Sequence, residues 1–390
     1  MEQLAPLLFW PALLLIVYTY FGYPLLVAVA ARLRPRPVAR ATHEPTVSVV
    51  VAAWNEAANL PARIANLLEQ DYPSDRLEII VVSDGSTDET AGVLERIAGE
   101  SPRVRPLLLE HNGGKAVALN AGIAAATGEL IVFADARQTF APDAIRRLAE
   151  NCADPRVGSA SGELVLRPAQ GGVAANVGLY WRYEKWIRRN EATIGSMLGA
   201  TGAIYAIRRE LYRPLPPGTL LDDFLTPMRI VLTGHRAVFD GRAIAEDLVS
   251  TRASQEFRRK VRTLAGNFQA VAFEPALLLP WRNPATWFQL WSHKLLRLAV
   301  PWALVVMLIA SAAAPGLPYR VFAGLQLLFY AMALVGLMAE RAGRSIRLKP
   351  VALAYTFTTL NIAAAAGLFV WARGGAGTSV WRKAYQPAGR

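Results

Sequence analysis

The residues best suited to chemistry in this 390-residue chain fall in four short polar clusters. They are Asn55-Glu56, Asp84-Gly85-Ser86, the loop that ends at Lys115, and Asp135-Ala136-Arg137 within "VFADARQTF". Asp84 can accept hydrogen bonds from a base or a ribose. Gly113 and Gly114 let backbone approach a ligand closely, and Lys115 can offer charge to a phosphate. Asp135 ends the apolar run Ile131-Val132-Phe133, a common way to present one acid at a sheet edge. These residue types together point to a nucleoside diphosphate. No GxxxxGK[ST] is present, which excludes a P-loop nucleotidase, and no GxGxxG follows the first apolar run, which argues against a dinucleotide cofactor. Four scattered histidines, with no HxxxH or CxxC, argue against a zinc site. Asp-Gly alone is a turn former; repetition at four successive run ends is what makes a site.

The runs before these clusters read as strands. "VSVVVAA" (47–53), "LEIIVVS" (77–83), "VRPLLLE" and "ELIVFADA" are β-branched or continuously apolar, as strands buried on both faces are. Between them Leu60, Ile64, Leu67 and Leu68 recur at helical spacing, "DGSTDET" opens a helix with Ser86 or Thr87 as cap, and "KAVALNAGIAAA" reads as another helix. The alternation predicts an α/β fold with a parallel sheet covered by helices. In such sheets ligands bind beyond the carboxyl ends of the strands, where all four clusters fall.

The flanks differ. Hydrophobic residues make up 53% of the chain and charged residues 18%, an excess concentrated in a charge-free run at 7–31 and in runs near 295–314, 320–338 and 350–372. Each approaches or exceeds the about 20 residues that span a bilayer. The first run is too long for a signal peptide, starts without basic residues and lacks a small-residue cleavage site, so it is expected to be an anchor. The net charge of +12 comes from arginines beside these runs: Arg32, Arg34, Arg36 and Arg40, then Arg341, Arg344, Arg347 and Lys349. That is a positive-inside pattern, which puts residues 32–294 in the cytoplasm. Membrane lipids, with anionic head groups, are therefore the expected partner of the basic surface, and no nucleic acid is. The single cysteine, Cys152, forms no intramolecular disulfide, which suits a cytoplasmic domain. Four spans would place the tail outside, against its Arg373, Arg382, Lys383 and Arg390; either one segment is re-entrant or the rule fails there.

The ordered set "VVVAAWNEAANL", "VVSDGSTDET", "GGKAVALNAG", "FADAR", "GATGAIYAIRRE" and "LDDF" resembles the membrane-anchored family 2 glycosyltransferases, among them the bacterial synthases of cellulose, hyaluronan and poly-N-acetylglucosamine. The resemblance covers roughly residues 45–270. It implies a GT-A, nucleotide-sugar-binding α/β domain and inverting transfer from a nucleoside diphosphate sugar, most often UDP-linked. It further implies that Ala52, Glu56 and Asp84 line the nucleoside pocket, that Lys115 lies near the donor, and that Asp135 is the first acid of the DxD motif and the metal ligand. Asp223, the second acid of "LDDF", matches the general base, with Asp222 beside it in the substrate site. Inverting chemistry asks for these groups: a carboxylate takes the acceptor proton, and a cation, usually Mg²⁺ or Mn²⁺, meets the charge on the leaving diphosphate. Asp222-Asp223 also reads as a helix amino-terminal pair, where acids favour the dipole; one role for each acid is compatible with both.

Two departures follow. The second DxD acid is replaced by Arg137. Three accounts are open: Asp135, water and diphosphate hold the metal; Arg137 itself neutralises a phosphate; or Arg137 is structural. The synthases' QxxRW motif has two registers in "SQEFRRKVRTLAGNFQ", Gln255 with Arg258 or, preferred, Arg259 with Arg262, and both lose the Trp that stacks on the acceptor. This argues against processive synthesis and leaves Arg262 as a phosphate ligand, or the stretch as a basic helix lying on lipid. Trp281, Trp287 and Trp291 read as an interfacial element, which either anchors or also shapes a glycan entrance. Tyr180, Trp181 and Trp186 either stack on sugar or pack.

The expected organisation is a transmembrane helix at 1–31, a basic linker at 32–45, a GT-A domain at 46–276, an interfacial segment at 277–294, three transmembrane helices at 295–372 and a basic tail at 373–390. The expected function is transfer of a sugar to a glycan or to a polyprenyl- or other lipid-linked acceptor, at the cytoplasmic face of a bacterial inner membrane. It would serve polysaccharide or glycolipid synthesis, with membrane proteins of such a pathway as partners. The alternatives are a processive synthase coupled to export and a degenerate nucleotide-binding scaffold.

Overall fold

The computed structural model describes residues 4–167, 174–248, 253–344, 346 and 348–374. The side chains of Tyr180 and Gln255, Arg347, and the tail from 375 with Arg382, Lys383 and Arg390 lie outside the described residues. Leu4–Leu33 is one helical run, α1, with a π turn at Tyr18–Gly22. Then come β1 (Val47–Ala53), α2 (Leu60–Leu68), β2 (Leu77–Asp84), α3 (Thr90–Glu100), β3 (Val104–Leu109), α4 (Lys115–Ala125), β4 (Leu130–Asp135), β5 (Thr139–Phe140) and α5 (Ala144–Asn151). They are followed by β6 (Val157–Arg167), α6 (Ala174–Ile194), β7 (Ile204–Arg208), α7 (Asp222–Leu232), β8 (Arg236–Leu248) and α8 (Ala253–Phe273). Pro284–Ala313 is a single helical run, α9, with a π turn at Leu290–Leu295; α10 (Leu317–Arg341) and α11 (Lys349–Ala372) are the last elements among the described residues.

The eight strands form one sheet in the order β3-β2-β1-β4-β7-β6-β8-β5. Its first half is parallel, as the alternation predicts. Its second half is mixed: β7 runs antiparallel to β4 and to β6, and β5 antiparallel to β8. β1, β2 and β4 are buried on both faces, whereas β3, expected as a buried strand, lies at the sheet edge and leaves Leu108 exposed. Val47, Val49 and Val51 of β1 pack in the core with α2 and α5, whereas Val50 packs with Ala118, Leu119 and Ile123 of α4 on the other face. Leu130, Val132 and Ala134 of β4 share the first core, Ile131 and Phe133 the second, where Phe133 stacks on Tyr205 with centroids 4.1 Å apart.

α1, α9, α10 and α11 are each long and apolar enough to cross a membrane. α6 and α8 join them to the sheet domain: α6 packs on α1 and α8 along α11. The stretch before residue 295, expected as a separate interfacial segment, is continuous with the following span in α9. A buried Leu290, Ser292 and His293 turn one side of its π segment inward, while Trp281 and Trp291 stay exposed.

Candidate active site

Strand register brings the clusters together. Ala52 of β1 lies opposite Asp135 of β4, and Ala53 opposite Ser83, one residue before Asp84. A cleft of about 130 Å³ opens there, lined by Ala52, Trp54, Glu56, Lys115, Asp135, Ala136 and Arg137. The loop after β1 is tied to the loop after β2: the backbone N–H of Thr87 donates to Asn55 Oδ1 at 2.7 Å, and that of Glu56 to Thr90 Oγ1 at 2.9 Å. The Glu56 carboxylate accepts from Asn59 and faces the cleft.

Asp84 is fully buried, and its carboxylate accepts the backbone N–H groups of Gly113 and Gly114, each at 2.8 Å. It thereby fixes the loop that delivers Lys115 to the first turn of α4. The Lys115 ammonium bonds Asp135 Oδ1 at 3.1 Å and lies 3.4 Å from Asp222 Oδ1. Burial opposes its charge, but Asp135, Asp222 and Asp223 outweigh burial and hold its pKa above the usual lysine range.

Asp222 and Asp223 open α7, where the dipole favours anions. Asp222 is buried and its Oδ2 has no hydrogen-bond partner among the described residues. Asp223 is only half-buried. Its carbonyl takes the N–H of Ala200 at 2.6 Å, and its carboxylate lies over Gly202, where an added Cβ would come within 2.8 Å of Oδ2. The "GATG" stretch is therefore glycine-bearing to make room for the acid. Burial first, and then the Asp222 charge, push the Asp223 carboxyl up to about 6, against the pull of Lys115 and Arg188. α8 supports the turn before these acids. Gln269 accepts from the Leu220 N–H at 2.8 Å and donates to Gly218 O at 3.0 Å. At Gly266 the helix comes so near that a Cβ would stand 2.5 Å from Leu221 Cγ. Arg262 lies one turn earlier on that face, with a buried Nε that has no partner.

Arg137 lines the cleft but is also paired with Asp247 of β8 at 3.6 Å; the neighbouring Gln138 bonds the same carboxylate at 2.9 Å. Nothing in the sequence of β8 singles out Asp247. Arg188, on α6, is likewise absent from the motif reading, although it influences Asp223. Among the described residues no three His, Cys, Asp or Glu side chains cluster as a metal cage. Asp135 and Glu56 are the two carboxylates among the cleft-lining residues; so few acids fit a hard cation shared with a diphosphate and completed by water, and do not fit an all-protein site. The arrangement can take a proton at Asp223 and meet negative charge at Lys115.

With this sheet and cleft the molecule has an α/β fold of the GT-A type. The profile of glycosyl transferase family 2 matches residues 48–215. An N-acetylglucosaminyltransferase of Rhizobium leguminosarum bv. viciae is 30% identical over 241 residues, covering 58% of this chain and 56% of the relative. One from Bradyrhizobium elkanii is 37% identical over 123 residues, 31% of this chain and 67% of that one. The chain thus spans little more than half of the Rhizobium leguminosarum enzyme. Among solved structures, the mannosyltransferase PcManGT from Pyrobaculum calidifontis, in complex with GDP-Man and Mn²⁺, superposes with a TM-score of 0.73 at 29% identity, covering 94% of this chain and 99% of that one. The chain belongs to glycosyl transferase family 2.

Proposed function

We propose that this protein transfers a sugar, with inversion, from a nucleoside diphosphate sugar to a glycan or lipid-linked acceptor at the cytoplasmic face of a membrane. The observation that carries the reading is the carboxylate pair at the start of α7, set across Lys115 from Asp135. In the proposed step the acceptor hydroxyl attacks the anomeric carbon opposite the diphosphate, Asp223 takes the hydroxyl proton, and the diphosphate leaves with the bond's electron pair. Lys115 meets the charge that develops on the leaving oxygens. Asp135 would hold a Mg²⁺ or Mn²⁺ ion, which adds positive charge at the diphosphate. Mn²⁺ in the similar mannosyltransferase supports a divalent ion. Ala52 and Glu56 border the nucleoside, Asp84 acts on it through the Gly113-Gly114 loop, and Arg262 faces its phosphates.

The relatives named N-acetylglucosaminyltransferases favour an N-acetylglucosamine donor, UDP-linked; GDP-mannose is the second candidate. Thr263, at the place of the synthases' tryptophan, bonds the Arg259 carbonyl of its own helix at 2.9 Å and offers no sugar platform, which favours single transfer. Residues 46–276 form the catalytic domain in this reading. Arg32, Arg34 and Arg36 at the end of α1, and Arg341 and Arg344 at the end of α10, support one common, cytoplasmic side for that domain and for the α10–α11 loop.

Turnover by the full chain in nanodiscs, with UDP-N-acetylglucosamine, UDP-glucose and GDP-mannose, tests the reading. One donor is expected to release its diphosphate, with excess EDTA lowering the rate at least tenfold and Arg137→Ala much less, because Arg137 is held by Asp247. Release that survives EDTA and collapses in Arg137→Ala would transfer the metal's role to the arginine. No release from any donor, with or without added acceptors, would overturn the proposal. A pH profile adds a second check. With its carboxyl raised to about 6, Asp223 is a base above that pH and a neutral acid below it. The rate kcat/KM is expected to fall about tenfold per unit as pH drops below 6.

A further inference from the structure

A second cluster of charge lies where α6 meets α9. Glu184, Arg188 and Glu191 share one face of α6, at spacings of four and three residues. The acids there are already engaged. His293 bonds Glu191 Oε1 at 2.8 Å and Glu184 Oε2 at 3.2 Å, Tyr23 of α1 donates to Glu191 at 2.5 Å, and Arg297 pairs with Glu184. Lys260 of α8 is paired with Glu256. Arg188 and Lys294 are not held by these contacts, although the charges of Glu184 and Glu191 reach Lys294 across the cluster. Neither has a carboxylate within ion-pair distance among the described residues, and the buried Arg188 Nε has no hydrogen-bond partner. The two cations lie within electrostatic reach of each other, where like charges repel. Arg188 is also within reach of Asp223, and its Nη1 points at Ala200 O, 3.5 Å away, in the loop whose amide holds the Asp223 carbonyl.

Holding unpaired cations in a half-buried site costs stability unless an anion joins them. A guanidinium fork beside an ammonium suits a phosphate. Both cations keep part of their surface exposed, and Lys294 lies in the apolar helix Pro284–Ala313, which is long enough to cross a membrane. We propose that Arg188 and Lys294 bind the phosphate of an anionic, lipid-linked acceptor and so hold its attacking hydroxyl at Asp223. This rests on the proposed transfer and narrows its acceptor to a phosphate-bearing lipid. The step balances as before: the acceptor O–H adds to the anomeric carbon, its proton goes to Asp223, and the nucleoside diphosphate departs, while the lipid phosphate only binds.

The test is a binding measurement that needs no turnover. Radiolabelled farnesyl phosphate is titrated onto the full chain in phosphatidylcholine nanodiscs, against empty discs and against farnesol. We expect the protein discs to retain farnesyl phosphate with at least tenfold higher affinity than Lys294→Gln discs. Arg188→Gln should fall equally, Arg188→Lys should recover part of the loss, and farnesol should not distinguish the discs. Donor nucleotide binding, measured in parallel, should be unchanged in Lys294→Gln, which shows that the variant is folded. Retention no better than in empty discs, or equal retention by the variants, overturns the proposal. So does displacement by inorganic phosphate as effective as by farnesyl phosphate, which would make free phosphate the ligand. Failure of the transfer reading itself shows elsewhere, as absent donor turnover. Where turnover exists, KM for a lipid diphosphate-linked sugar should rise at least tenfold in Lys294→Gln, and KM for an uncharged alkyl glycoside of that sugar should not.

Discussion

Asp223→Asn is expected to lower kcat by about 10²–10⁴-fold while leaving donor affinity within a few-fold. Asparagine keeps the size of the side chain, its position over Gly202 and the backbone bond to Ala200, so the fold and the cleft persist. What is lost is a basic oxygen. Asp222 does not replace it, because Asp222 is buried and faces Lys115. The measurement is steady-state transfer beside nucleotide binding, with thermal unfolding as a control. A kcat within threefold of the parent would remove Asp223 from the proton-transfer role. A parallel loss of donor binding would instead make it a ligand.

Lys115→Met carries the second large effect. The ammonium lies against Asp135 and Asp222 and lowers the Asp223 carboxyl. Without it, three carboxylates face one another and a leaving diphosphate meets less positive charge. Removing one such charge at a leaving group costs roughly 3–4 kcal/mol, or about 10²–10³ in rate. A second consequence separates catalysis from mere structure. With Lys115 gone, the downward pull on Asp223 is lost, so the acid limb of the pH profile should move above 6. A uniform loss at all pH values, with the limb unmoved, would contradict the electrostatic coupling. Addition of Mg²⁺ or Mn²⁺ should relieve part of the defect if Asp135, freed from its lysine, takes a cation more readily.

The parallel half of the fold was legible because β1, β2 and β4 are buried on both faces. A run such as Val47–Ala53 has no polar interruption beyond Ser48 and ends in a polar cluster, so strand, strand end and site edge read off together. Lys115 and Asp135 were visible for the same reason. The antiparallel strands were not. β7 pairs with β4 across about 75 residues of chain, a contact set by the return of α6 and by no local pattern. Asp84 shows another limit. Its type and place suggested a donor ligand, but which atoms its carboxylate meets depends on how the glycine loop closes. The pairing of Arg137 with Asp247 belongs to the same class: Arg137 stands out in the sequence and Asp247 does not, and only the folding of the sheet brings them together. Arg188 was missed because its helix drew notice only for the aromatic residues Tyr180, Trp181 and Trp186.

α1 is more than a tether. Its Phe9 packs against Tyr319 and Phe322 of α10, Tyr18 bonds Ser292, Tyr23 bonds Glu191, and the Tyr20 carbonyl takes the hydroxyl of Tyr183. All of those partners are translated later, those on α9 and α10 only after the whole sheet domain has emerged. At about 5–20 residues per second, the roughly 250 residues between α1 and α9 take on the order of ten seconds to a minute to synthesise. During that interval the first helix has emerged with its tyrosines unmatched. Biogenesis of this protein thus contains a built-in delay, in which an apolar helix able to cross a membrane must be protected from other helices until its own downstream partners arrive.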